Sequence, residues 1–203
     1  MVLLEAGLTT NALRAVPATF TPAEAVAAGV SRHALYALRD SGDLIEISRG
    51  VYRKASAPDT AHLDLIAAVK RAPRGIVCLV SALALHELTD EIPSAVQMAV
   101  PRGVNVPKIA YPPVKFSRFD PVTFELERTM FEAAPGELVP VYSPERAVVD
   151  VLRFRHRIGD SVALGALRAY LARRTANPGD LVAIARQLGD AGPLLQTLRV
   201  LLS

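Results

Sequence analysis

Along "TPAEAVAAGVSRHALYALRDSGDLIEISRGVYRK", residues 21–54, the hydrophobic spacing changes from helical to extended. Thr21, Pro22 and Glu24 supply an N-cap, a proline at the first helical position and the acid of a capping box. Ala23, Val26 and Ala27 give this first helix an apolar side, and Gly29 offers the left-handed residue that ends it. Ser31 then caps a second helix predicted to run to Asp40. The segments "LIEI" and "VYRK" flank the turn "SRG" and read as a β-hairpin. A further helix near Thr10–Val16 completes the order of a winged helix-turn-helix, placed at residues 1–54.

The small polar stretch "ASAPDT", residues 55–60, marks the expected boundary to a second domain, 55–203. "TAHLDLIAAVKRA" reads as an amphipathic helix with Leu63, Ile66, Ala67 and Lys70 marking its turns. "GIVCLV" reads as a short buried strand, and Ser81 as the cap of a helix "ALALHEL". Four more strands are expected, in "AVQMAV", "PPVKF", "TFELERTMFE" and "LVPVY". From Ser143-Pro144 onward the pattern is helical, at 144–155, 161–174, 180–188 and 194–202. The fold class is therefore α+β: a winged helix-turn-helix followed by a mixed domain with a small sheet and a helical C-terminal part.

Half of the 203 residues are hydrophobic, enough for a sizeable core. No long uncharged apolar run spans a bilayer, so no membrane partner is expected. Early Glu5 and the lack of basic residues before it make "MVLLEAGLTTNALRAV" a poor signal peptide, and Cys78 has no second cysteine to pair with. A cytoplasmic location is the simplest reading. The net charge of +3 is unevenly laid out, with its basic excess after residue 150, in "RFRHR" and "RAYLARR". That excess suits either an anionic partner or a solvated helix face.

At about 100° per residue, Ala34, Leu35 and Leu38 of the second helix turn inward. Arg32, Tyr36 and Arg39 share an outer stripe flanked by His33. This is the layout of a recognition helix, in which arginine reads guanine edges in the major groove. Arg49 at the hairpin tip and Arg53 and Lys54 at its base suit backbone phosphates or the minor groove. Asp40, Asp43 and Glu46 oppose this field, so the module is only mildly basic. A solvated surface helix on a protein-interaction module accounts for the same stripe.

Catalytic constellations are missing. The four histidines, His33, His62, His86 and His156, are scattered, and no phosphate loop or nucleophile elbow occurs. Glu125 and Glu127 in "FELER" are expected on one strand face, but no acid-x-Lys tripeptide accompanies them as a metal nuclease requires. Asp150 in "AVVDVL" is expected to pair with Arg146, four residues earlier. No catalytic residue, metal site or cofactor is assigned.

"GVSRHALYALRDSGDLIEISRGVYR" resembles the N-terminal winged helix-turn-helix of the AbiEi-type antitoxins of bacterial type IV toxin–antitoxin systems. "VSALALHELTDEIPSAVQMAVPRG" and "VYSPERAVVDVLRFRHRIGDSVALGALRAYL" are similar to the C-terminal antitoxin domain of that family. The resemblance implies binding to inverted repeats in double-stranded DNA of the protein's own promoter, with repression of the operon. It also implies a C-terminal domain that counteracts a cognate nucleotidyltransferase toxin, and no enzymatic activity. It maps the family's DNA contacts onto Arg32, His33, Tyr36, Arg39, Arg49 and Arg53. Glu87 stands where the family often has a small residue. The alternative is an interaction or regulatory module unrelated to a toxin.

Overall fold

A computed structural model describes residues 13–201. Residues 10–12 of the first predicted helix, near Thr10–Val16, lie outside them; residues 13–15 are helical. The chain groups into two compact units. One holds the N-terminal residues through Arg74 with Pro107–Val114 and Glu132–Val139; the other holds Gly75–Val106, Lys115–Phe131 and residues from Pro140 onward.

In the N-terminal unit, β1 (Thr19–Phe20) leads into α1 (Pro22–Ala27) and α2 (Arg32–Asp40). The hairpin strands β2 (Leu44–Ser48) and β3 (Val51–Lys54) follow, then α3 (Leu63–Arg71). β3 is central in an antiparallel sheet of order β1-β3-β2. The β2–β3 register runs Ile45↔Arg53, Glu46↔Tyr52 and then Ser48↔Val51, a bulge that increases local twist. Val16, Phe20, Ala25, Val30, Leu35, Leu44 and Tyr52 form the core under the helices. These elements and this order are those of a winged helix-turn-helix. The buried face of α3 is rotated from its expected position. Leu65, Ile66, Ala67 and Ala68 are buried while Leu63 is exposed, because the helix starts only at Leu63 and its first residue is not yet covered.

The second sheet is five-stranded, of order β6-β5-β4-β8-β7. Its strands are β4 (Ile76–Val77), β5 (Val96–Pro101), β6 (Val114–Phe119), β7 (Arg128–Ala134) and β8 (Glu137–Tyr142). β4 pairs antiparallel with β5 and parallel with β8. The stretch "GIVCLV" is buried as expected but only partly strand. α4 (Leu79–Leu85) takes over after Cys78. Ser81 is thus inside the helix, not its cap, and its hydroxyl accepts the Gln97 N–H at 2.9 Å.

Glu125 and Glu127 do not share a strand face. Asp120 caps a short 3-10 turn, Pro121–Thr123, and Glu127 has a left-handed φ of 56°, so β7 begins only at Arg128. The helical end comprises α5 (Pro144–Arg153), α6 (Arg155–Ile158), α7 (Asp160–Leu171), α8 (Pro178–Gln187) and α9 (Gly192–Leu201). α5 packs against α4, α7, α8 and α9, and every residue from Arg146 to Leu152 is buried. The predicted 144–155 helix breaks at Phe154, dividing "RFRHR" between α5 and α6.

The expected Arg146–Asp150 pair forms inside this core. Arg146 Nε donates to Asp150 at 2.7 Å, and Nη1 donates to the carbonyls of Thr123 and Leu126. The guanidinium lies 4.5 Å from the ring centre of Tyr142. Arg153 donates to the other Asp150 oxygen at 3.0 Å. Burial pushes the Asp150 carboxyl up from its ordinary range, against the pull of the two guanidiniums. Buried with charged partners on both oxygens, this acid has a structural role that its surroundings explain.

Candidate nucleic-acid interface

Local capping sets the angle between the two helices that matter. The Thr21 N–H donates to the Glu24 carboxylate at 2.6 Å, and the Glu24 N–H donates back to the Thr21 hydroxyl at 3.3 Å. Lys70 of α3 also donates to Glu24, at 2.7 Å. Burial works against the Glu24 charge, but the bonds from Lys70 and Thr21 outweigh it and hold the carboxyl below its ordinary range. At the other end of α1, Gly29 takes φ 91°. The Val30 N–H reaches back to the Ala25 carbonyl and the Gly29 N–H to that of Val26, at 2.9 and 3.0 Å. This is a Schellman turn, and its usual apolar contact joins buried Val30 and Ala25. Ser31 then accepts the Ala34 N–H at 3.1 Å and starts α2.

α2 presents the stripe read from the periodicity. Leu35 is buried, Ala34 and Leu38 are half-buried, and Arg32, His33, Tyr36 and Arg39 are exposed. The Arg39 guanidinium stands 5.2 Å from the Tyr36 ring centre, in cation–π range. It also donates from Nε and Nη2 to Asp40, at 3.0 and 2.8 Å. Arg39 is therefore both stacked and bridled by its own neighbour. Beneath it, Tyr52 of β3 stays a neutral phenol, its hydroxyl pushed up by burial and by nearby Glu46.

The three wing cations are not equivalent. Arg49 lies exposed on the Arg49–Gly50 turn between β2 and β3. Arg53 is not at the surface. It is 5% exposed and donates to the Thr19 hydroxyl at 2.7 Å, to the Pro58 carbonyl at 2.6 Å and to the buried Glu137 carboxylate. Lys54 is half-buried and donates to the Val16 carbonyl at 2.7 Å, and burial lowers its pKa. Both base residues are thus occupied as fasteners of the sheet. β3 is the central strand, and Arg53 on it is flanked by Thr19 on one side and Ile45 on the other.

One arginine that periodicity did not single out supports this face. Arg71, at the end of α3, donates to the Arg49 carbonyl at 2.9 Å and to the Lys108 carbonyl at 3.4 Å. The Ser48 hydroxyl donates to the Tyr111 carbonyl at 2.6 Å, and Glu46 accepts the Gly50 N–H at 2.9 Å. The wing tip is held from three sides. The only advance signal was the basic pair "KR" closing the "LDLIAAVKR" helix, which reads equally as a dipole-matched helix end. Among the described residues no group of His, Cys, Asp and Glu is arranged to hold a metal, and no helix is long and apolar enough to cross a membrane.

Against known proteins, no curated protein matches the chain. Its fold is similar to that in the crystal structure of RV2827C protein from Mycobacterium tuberculosis. The TM-score is 0.53 at 16% identity, over 95% of this chain and 79% of that one, a likeness of fold alone. Residues 6–53, the stretch that carries α1, the Gly29 turn, α2 and most of the wing, match the family described as "Transcriptional regulator, AbiEi antitoxin".

Proposed function

We propose that this protein is a cytoplasmic DNA-binding antitoxin that represses its own operon and counteracts a cognate nucleotidyltransferase toxin. The observation that carries the reading is the capped α2 with Arg32, His33, Tyr36 and Arg39 exposed together on one stripe of a winged helix-turn-helix. Such a helix enters the major groove with its N-terminal residues at base edges. Arg32 and Arg39 are the guanine readers, Tyr36 supports Arg39 by stacking, and His33 flanks them. Arg49 steadies the wing on the phosphate backbone, where cations position the protein without reading sequence. Arg53 and Lys54 act one step behind this face by holding β3. Two copies on an inverted repeat would occlude the promoter, and the C-terminal unit would carry neutralisation.

A gel-shift titration with the native upstream region tests the DNA reading. The Arg32→Ala/Arg39→Ala double variant should lose affinity by about tenfold or more, and wild-type affinity should fall steeply with salt. Equal affinity of the double variant and the wild type would falsify it. Co-expression with a nucleotidyltransferase encoded beside the gene tests the antitoxin reading: failure to rescue growth removes that half and leaves the DNA half standing.

A further inference from the structure

The C-terminal unit contains a cleft of about 470 Å³ whose lining is dominated by arginine. That volume lies within the roughly 300–1,000 Å³ range of small-ligand pockets. Arg102 and Arg118, both exposed, line it from the ends of β5 and β6. Arg146 and Arg153 of α5 line it too. Two aromatic rings, Phe119 and Phe154, stack at 5.7 Å in the floor.

The charge here is not self-satisfied. Asp120 is the carboxylate in the lining and lies a loose 4.0 Å from Arg102. Asp150 is the acid behind the floor, shared by Arg146 and Arg153. Four guanidiniums against two carboxylates leave two positive charges unmatched around one cavity. The buried Nε of Arg153 has no acceptor among the described residues. Arg118 is braced by donating Nη1 to the Val104 carbonyl at 2.7 Å. Arg146, 1% exposed and locked to Asp150 and two carbonyls, is set in place before any ligand arrives. Planar guanidiniums with fixed forks recognise phosphate oxygens by paired hydrogen bonds and also stack on flat rings. Phe119, Phe154 and Leu188 add an apolar part that a bare anion does not use.

We infer that this cleft binds a nucleoside phosphate, with the phosphates on Arg102, Arg118 and Arg153 and the base against the apolar floor. The C-terminal unit then has a small-molecule input of its own, separate from the α2 stripe. The inference does not rest on the DNA reading above.

Calorimetric titration of the full-length protein with ATP and GTP, with adenosine and guanosine, and with pyrophosphate tests it. A nucleoside triphosphate should bind, and both the nucleosides and pyrophosphate should bind at least about tenfold more weakly. The Arg102→Ala/Arg118→Ala variant changes two exposed side chains. It should keep the wild-type thermal midpoint and lose about tenfold in nucleotide affinity. Absence of nucleotide binding overturns the inference. So does pyrophosphate binding as tightly as the triphosphates, or an unaltered affinity in the double variant. An unrelated DNA duplex is the last arm: if it binds wild type and not the variant while nucleotides bind neither, the arginines serve backbone phosphates and the inference falls.

Discussion

Arg53 and Glu137, 84 positions apart in sequence, form a buried ion pair inside the N-terminal unit. Thr19 and the Pro58 carbonyl take further N–H groups of the same guanidinium. Removing either charge leaves the other buried without a counter-charge, which costs about 3–5 kcal/mol. Arg53→Ala and Glu137→Ala should each lower the urea midpoint of the N-terminal unit strongly. An Arg53→Met/Glu137→Leu double variant should recover much of the loss, because apolar residues of similar volume can replace a buried pair. Equal destabilisation by the single and double variants would show that the pair's charges are not the issue.

On the exposed face, Asp40 holds the Arg39 guanidinium that the DNA reading needs. Asp40→Asn should tighten operator binding about threefold to tenfold, by freeing Arg39 and removing a negative charge near phosphate. Arg39→Lys should bind more weakly than wild type, since an ammonium neither stacks on Tyr36 as a plane nor reads guanine with two parallel donors. Fluorescence anisotropy at one fixed salt concentration measures both. No gain with Asp40→Asn would mean that Arg39 is already in its working position when bridled.

Glu24 makes the stability of the helix pair depend on acid. Its folded pKa is depressed, so its contribution is complete above the unfolded carboxylate value of about 4.3. It is lost as pH falls through the lower folded value. Urea midpoints taken from about pH 6 down to about pH 3 should drop more steeply in wild type than in Glu24→Gln, and the two curves should converge at the acid end. Thr21→Ala, which removes the other half of the capping box, should cost about 1 kcal/mol at neutral pH.

Gly29→Ala isolates the turn between α1 and α2. Among the described residues beyond its chain neighbours, nothing lies within 4 Å of the added Cβ, so its cost is the backbone strain of φ 91° alone. That strain is about 1–2 kcal/mol. A thermal melt should show this loss, while operator affinity of the folded fraction stays at the wild-type value.

The features legible in the sequence were those made by neighbours. Thr21 and Glu24, Ser31 and Ala34, and Arg146 and Asp150 are three or four residues apart, where helix geometry alone brings them together. Gly29 declares its turn through the conformation that only glycine adopts cheaply. The exposed stripe on α2 followed from the same arithmetic. The misreadings came from contacts distant in sequence. Arg53 and Lys54 looked like wing cations because their acceptors, at Glu137, Pro58, Thr19 and Val16, are invisible to a local pattern. Ser81 looked like a cap because its partner Gln97 lies a strand away. The arginine-lined cleft draws on four separate stretches of chain, and no single stretch announces it.

Arg71 grips Arg49 by its carbonyl, while the Arg49 side chain is exposed. The wing therefore separates two jobs within one residue: the peptide is anchored, and the guanidinium stands exposed to solvent. A partner meeting that tip has only rotamers to immobilise, not a loop. Loss of Arg71 should then be felt as a penalty on association that no missing contact explains, an ordering cost transferred from folding to binding.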